Sequence, residues 1–128
     1  MPQKLAIAIS GAVSLGSYES GVMYEIIEAI AQHNQHQDTT ADERVEIDVI
    51  TGASAGAMTA CILAQKHLFA ADELRDSKTN PLFRAWVEDV DIKGLLEQRE
   101  SDLPQQSIFS LTLIAEIGER YLLQRYQS

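Results

Sequence analysis

Gly52, Ser54 and Gly56 stand at alternating positions in the run ITGASAGAM over residues 50–58, and their types and spacing point to nucleophilic chemistry. A serine hydroxyl is a weak nucleophile in water. It becomes useful where the backbone presents it and where donors wait for the oxyanion that its attack on a carbonyl creates. A G-x-S-x-G spacing meets the first need when it falls between a buried strand and a helix: the tight turn lifts the serine above the sheet rim, and the glycines remove Cβ atoms that would clash. A helix starting at residue 54 or 55 meets the second, since its unpaired amides and positive dipole end aim at the same place. Serine is also a common helix N-cap, and a five-residue pattern recurs by chance, so the spacing alone leaves both readings open.

The flanking segments decide how much that pattern means. Residues 4–10, KLAIAIS, form a short apolar run ending at Gly11, which predicts a strand buried on both faces of a parallel sheet. Over residues 17–33, Val22, Met23, Ile26, Ile27 and Ile30 recur at spacings of three and four while Glu19, Glu25 and Glu28 fall elsewhere. This predicts an amphipathic helix with its acids toward water. Residues 34–44 are polar and aperiodic, a surface connection. A second strand is predicted over residues 45–51, with alternating Val45, Ile47 and Val49 at a solvated start and Val49 and Ile50 at an end buried on both faces. The elbow over residues 52–56 then leads into a helix reaching residue 69, on which Cys61 reads as a small buried apolar residue.

Further helices are predicted over residues 81–89, with Pro81 in the first turn and Leu82, Phe83, Trp86 and Val90 as the apolar stripe, over 92–98, and over 110–126, with Leu113, Ile114, Ile117 and Tyr121 on one face. Residues 98–107, with Pro104, read as a loop. Two parallel strands need neighbours before their faces and edges are covered. The 128 residues are therefore expected to form a single partial α/β domain, the N-terminal portion of a larger one, or to complete their sheet with a partner.

The first strand also ends in a glycine-bearing turn, ISGAVSLGSYESG, that feeds a helix. In a parallel unit both turns lie at the carboxyl edge of the sheet, where α/β folds bind ligands. Gly11, Ala12, Val13 and Gly16 are thus placed to offer backbone amides beside Ser54, an oxyanion hole from a second loop. The skeleton G-x-x-x-x-G is also that of a phosphate-binding loop, but Ser17 and Tyr18 follow where Lys and Ser or Thr are needed, and G-x-G-x-x-G is missing. Nucleotide binding is not expected.

Taken together, these paired motifs resemble the N-terminal half of a patatin-like phospholipase domain of the bacterial acyl hydrolases. The resemblance is strong over residues 4–68 and weaker over LFRAWVEDVDIKGLLE and SIFS. It implies a three-layer fold with a parallel sheet core flanked by helices. It also implies a serine nucleophile at Ser54, a glycine-rich oxyanion loop at residues 11–16, and hydrolysis of lipid or phospholipid carboxylic esters without a cofactor or metal. Ala12 and Val13 stand where the family has glycines and Leu15 where it has a basic residue, yet backbone amides survive a change of side chain.

The family's base is an aspartate, usually followed by glycine, and no histidine takes part. Asp38, Asp42, Asp48, Asp72, Asp76, Asp89, Asp91 and Asp102 are each followed by another residue. The resemblance therefore puts the base beyond this chain and implies little turnover for these residues alone. Alternatives are a truncated or degenerate relative that acts as a binding or assembly module, and an acyltransferase.

Composition narrows the partners. Ten Lys and Arg against nineteen Asp and Glu give a formal charge of −9, which repels phosphate backbones and anionic headgroups, so nucleic acid is not an expected partner. Peripheral membrane contact stays open. Cys61 is the only cysteine, so no internal disulfide and no cysteine metal cluster can form. His33 and His36 lack the acid of a helical zinc site, and His67 lies several turns along the helix that starts at the serine. Trp86 with Phe83 and Leu82 reads as core ahead of a lipid-facing patch. Lys4 alone precedes the apolar segment 5–15, which Gly11 and two serines interrupt, so the pattern is not that of a signal peptide. No apolar stretch reaches the roughly 18–20 residues of a membrane span. The expected location is cytoplasmic or peripheral to a membrane.

Overall fold

A computed structural model describes residues 1–11, 15–69, 71–102 and 110–122. Strand β1 (Gln3–Ile9) leads to helix α1 (Gly16–Gln35), then strand β2 (Val45–Gly52) and helix α2 (Ala55–Phe69). A 3₁₀ turn (Ala71–Leu74) precedes the short helix α3 (Pro81–Phe83), which continues into a π-helical turn (Arg84–Asp89). Helices α4 (Ile92–Leu96) and α5 (Leu111–Leu122) complete the described elements. The class is α/β: two parallel strands flanked by helices, with every described element after β2 helical.

The strands pair from Gln3 against Val45 to Ile9 against Gly52, so both end at the same rim. Between Leu5 and Ala6 the register slips: Leu5 faces Ile47 and Ala6 faces Val49, which leaves Asp48 as an extra residue. One extra residue reverses the faces of the residues after it. Val45 and Ile47 are half-buried before it and Ile50 after it, whereas Val49 turns outward and is 47% exposed. The expectation that Val49 and Ile50 are both buried is corrected by this bulge, which alternation in the sequence does not reveal. The described part of β1 is likewise not buried on both faces: Ile7 is in the core, while Leu5, Ala6 and Ala8 are exposed.

Ile7, Met23, Ile27, Ile62, Leu63, Leu74, Leu82 and Ala85 form the core, with Ile9, Ile47, Ile50 and Trp86 packed against it. It thus joins β1, α1, α2 and the segment around Trp86. On α1 the apolar stripe is narrower than predicted, since Val22 is 39% exposed. Glu19 departs in the opposite sense: one carboxylate oxygen is buried without a hydrogen-bond partner. On α2, Ile62 and Leu63 face inward and Cys61 is exposed, a correction to its reading as buried. This helix is apolar on most sides, so its sequence leaves the inward face undetermined.

Helix ends follow local chemistry. Pro81 occupies the first turn of α3, and the Phe83 amide donates to Asn80 Oδ1 at 2.9 Å. Asp91 caps α4, and the Leu113 amide donates to Ser110 Oγ at the start of α5. On α5, Leu113 and Ile117 are buried while Ile114 is exposed, so the predicted face is narrower there too. The predicted continuation of α5 to residue 126 and the Pro104 loop fall largely outside the described residues.

Candidate active site

The turn between β2 and α2 consists of Ala53 and Ser54. Ser54 has φ 52°, the one non-glycine positive φ among the described residues, and it is exposed at the sheet rim. A Cβ in that region clashes with its own backbone, so it persists only where the surroundings hold it. The glycines account for the holding. A Cβ on Gly52 would lie 2.2 Å from the Gly56 carbonyl oxygen, and one on Gly56 would lie 2.5 Å from the carbonyl oxygens of Ile9 and Ser10. The two glycines of the motif therefore let β2, α2 and the end of β1 approach to backbone contact. The Ala53 amide donates to Ile9 O at 3.1 Å, which ties the turn to β1.

Helix α2 begins immediately. The amides of Ala57 and Met58 donate to Ser54 O at 2.9 and 3.3 Å, so the amides of Ala55 and Gly56 come before the first intrahelical bond. They add to the positive end of the helix dipole beside the serine. Among the described residues no side chain holds the Ser54 hydroxyl.

The first turn arrives at the same place. A Cβ on Gly11 would lie 2.9 Å from Ser54 Cβ and 3.0 Å from Ala53 O, so Gly11, two residues beyond β1, lies against the serine turn. Gly16, at the far end of this segment, is buried at the start of α1. Ala12 and Val13, the other two residues predicted to offer amides, lie outside the described residues. Of the seven residues singled out from the sequence, the fold thus brings Gly11, Gly52, Ser54 and Gly56 together. Gly16 packs instead against the ring of Trp86, a contact between distant parts of the chain that spacing does not foretell.

Several described aspartates have other partners. Asp48 pairs with Lys4 and Asp89 with Arg120. Asp76 accepts from the amides of Lys78 and Thr79. Asp102 accepts from the amides of Arg99 and Thr112 and from the Thr112 hydroxyl, and these bonds hold its carboxyl well below the usual carboxylate range. Glu19, in the first turn of α1, behaves oppositely: burial pushes its carboxyl above the ordinary range. Among the described residues no group of three or more His, Cys, Asp or Glu is arranged to hold a metal ion. His33 Nε2 instead meets Glu43 O at 2.8 Å. No described helix is long and apolar enough to cross a membrane.

The chain is 40% identical over 63 residues to the Uncharacterized protein y4iI of Sinorhizobium fredii (strain NBRC 101917 / NGR234), a match covering 46% of this chain and 9% of that protein. The chain therefore corresponds to a small part of that relative's length. No solved structure matches it. The family model for patatin-like phospholipase matches residues 7–124, nearly the whole chain, and on that match the chain belongs to the patatin-like phospholipase family.

Proposed function

We propose that Ser54 is the nucleophile of a serine acyl hydrolase that cleaves carboxylic esters of phospholipids or other lipids. The observation that carries this reading is the left-handed, exposed Ser54 at the sheet rim, against Gly11 of the chain leaving β1. Ser54 Oγ attacks the ester carbonyl carbon and passes its proton to a carboxylate base. The oxyanion is met by the free amides at the start of α2 and by backbone amides of residues 11–16. Collapse of the tetrahedral species expels the alcohol, which takes up the proton, and leaves an acyl-enzyme that water hydrolyses. The base is assigned to an aspartate outside residues 1–128, in keeping with the other partners that Asp48, Asp76, Asp89 and Asp102 hold. Exposed Leu15 and Tyr18 at the start of α1 favour contact with an uncharged lipid surface, since the net charge of −9 disfavours an anionic one.

The test is fluorophosphonate labelling of the full-length protein that contains these residues. Labelling confined to residue 54, lost in Ser54→Ala together with p-nitrophenyl ester hydrolysis, is the expected result. Failure of both labelling and hydrolysis in the wild type would replace the enzyme with a non-catalytic binding or assembly module. Product esters formed with an added alcohol in place of free acid would make it an acyltransferase.

A further inference from the structure

Trp86 is the only tryptophan of the chain, and it lies on the π-helical turn Arg84–Asp89. There the Val90 amide donates to Ala85 O at 3.0 Å, five residues back. Such turns hold well under 1% of residues and are found mostly as single insertions, often where a side chain must be aimed for a purpose. The indole here touches two elements at once. Its six-membered ring lies against the first residue of α1, where a Cβ on Gly16 would be 2.2 Å from Cε3 and 2.5 Å from Cδ2 and Cζ3. Its Nε1–H donates to Thr59 Oγ1 at 2.9 Å, and Thr59 is fully buried on α2. Gly16 follows directly on the segment that begins at Gly11. Thr59 lies about one and a half turns beyond Ser54.

We propose that Trp86 is a positioning residue that clamps the start of α1 to the second turn of α2 and thereby sets where the head of α2, and with it Ser54 Oγ, stands at the rim. The proposal rests on the acyl hydrolase reading. Trp86 acts through Gly16 and Thr59, and no contact with substrate is invoked. The ring supplies a flat wall that fixes how near α1 comes, and the indole donor fixes where α2 stands along it. Helix α2 begins directly after Ser54 at the rim, so a shift of α2 against α1 carries the nucleophile with it.

The experiment compares full-length wild type with Trp86→Phe, Thr59→Val, Gly16→Ala and the double variant Gly16→Ala/Trp86→Phe. The readouts are the rate of Ser54 phosphonylation by a fluorophosphonate, kcat and KM on a p-nitrophenyl ester, and hydrogen exchange in the first turns of α1 and α2. Displacements of about 1 Å in an active site cost up to roughly a hundredfold in rate. Trp86→Phe and Thr59→Val are each expected to lower phosphonylation and kcat together by about tenfold, with KM within about twofold, because each removes the same hydrogen bond. Gly16→Ala is expected to lose about a hundredfold, and the smaller ring of the double variant to restore part of that loss by making room for the methyl group. A purely structural role would lower thermal stability and the labelled fraction while leaving the rate per competent site and KM unchanged, and would make the double variant the worst of the set.

Unchanged rates in Trp86→Phe and Thr59→Val overturn the clamp, as does a double variant slower than Gly16→Ala. If Gly16→Ala fails to fold, the Trp86→Phe and Thr59→Val pair decides. If the wild type is not phosphonylated, the hydrolase reading falls and exchange decides the clamp: faster exchange in the first turns of both helices in both of those variants keeps it, and unchanged exchange removes it.

Discussion

At the end of β2 the chain enters α2 through Ala53 and Ser54 alone, whereas from the end of β1 it takes residues 10–15 to reach α1. The two connections share a rim but are held differently. In the short one, the restraining contacts are backbone to backbone, between Gly52 and Gly56 and between Gly56 and the end of β1. In the long one, Gly11 meets the Ala53 backbone as well as the Ser54 side chain, and Gly16, at the other end, meets the ring of Trp86. Helix α1 has Leu15 at its N-cap and no side-chain cap, so no side-chain hydrogen bond fixes its first turn from within. The difference teaches that the short turn is restrained by close backbone approach at its own glycines and to the end of β1, whereas the first residue of α1 is restrained by a side chain from far along the chain.

The largest effect that can break this comparison is on the short turn. In Gly52→Ala the new methyl group meets a carbonyl oxygen at 2.2 Å, and backbone on both sides must move. Overpacking of this kind costs about 3 kcal/mol, at the upper end for such changes. Gly21→Ala on α1 is the control, since nothing lies within 4 Å of the added Cβ. It should be neutral or stabilise by about 0.5–1 kcal/mol through helix propensity. Urea unfolding of the two variants measures the contrast. Equal stabilities would mean that the glycines of the elbow are not there for close approach.

A smaller effect concerns the serine itself. Ser54→Ala and Ser54→Gly both remove the hydroxyl that the proposed function makes the nucleophile, but only glycine removes the Cβ that opposes a φ of 52°. Left-handed backbone at a non-glycine residue costs of order 1–3 kcal/mol, and glycine's greater freedom in the unfolded chain returns part of the relief. The glycine variant should therefore exceed the alanine variant by about 1 kcal/mol in thermal or chemical denaturation. A serine site under strain that loses function while gaining stability fits the usual opposition between the two. Alanine matching glycine would mean that the turn carries no strain.

How far each connection is legible in the sequence follows from the same contrast. The tight turn at Ser54 is readable because its two glycines and the serine lie in five consecutive residues after an apolar run. Gly11 is readable because parallel pairing puts the end of β1 beside the end of β2. The Trp86 contact is not, since an apolar residue at helical spacing looks the same whether it fills a core or braces a helix start. The outward Val49 is hidden by a bulge, and the exposed Cys61 by a helix that is apolar on most sides. Each of these depends on which face tertiary packing selects, information that local patterning does not contain.

The smallest effect belongs to the long connection and to Glu19, one turn into α1. Two forces act on this carboxylate in opposite directions. The helix N-terminus favours its negative charge by about 0.3–1 kcal/mol. Burial of one oxygen without a partner disfavours it, and since the net displacement of its pKa is upward, burial wins. A carboxyl whose pKa rises on folding adds stability that is complete below the pKa of glutamate in the unfolded chain, about 4.3, and that is lost as pH climbs through the folded value. Glu19→Gln keeps the shape without the charge. It should raise the thermal midpoint by about 1–2 °C at pH 7 and make no difference near pH 4. A variant less stable than wild type at neutral pH would mean that the ionised carboxylate is itself a brace for the start of α1. In that case the long connection would carry a local restraint of its own, and the contrast with the elbow would narrow to one of degree.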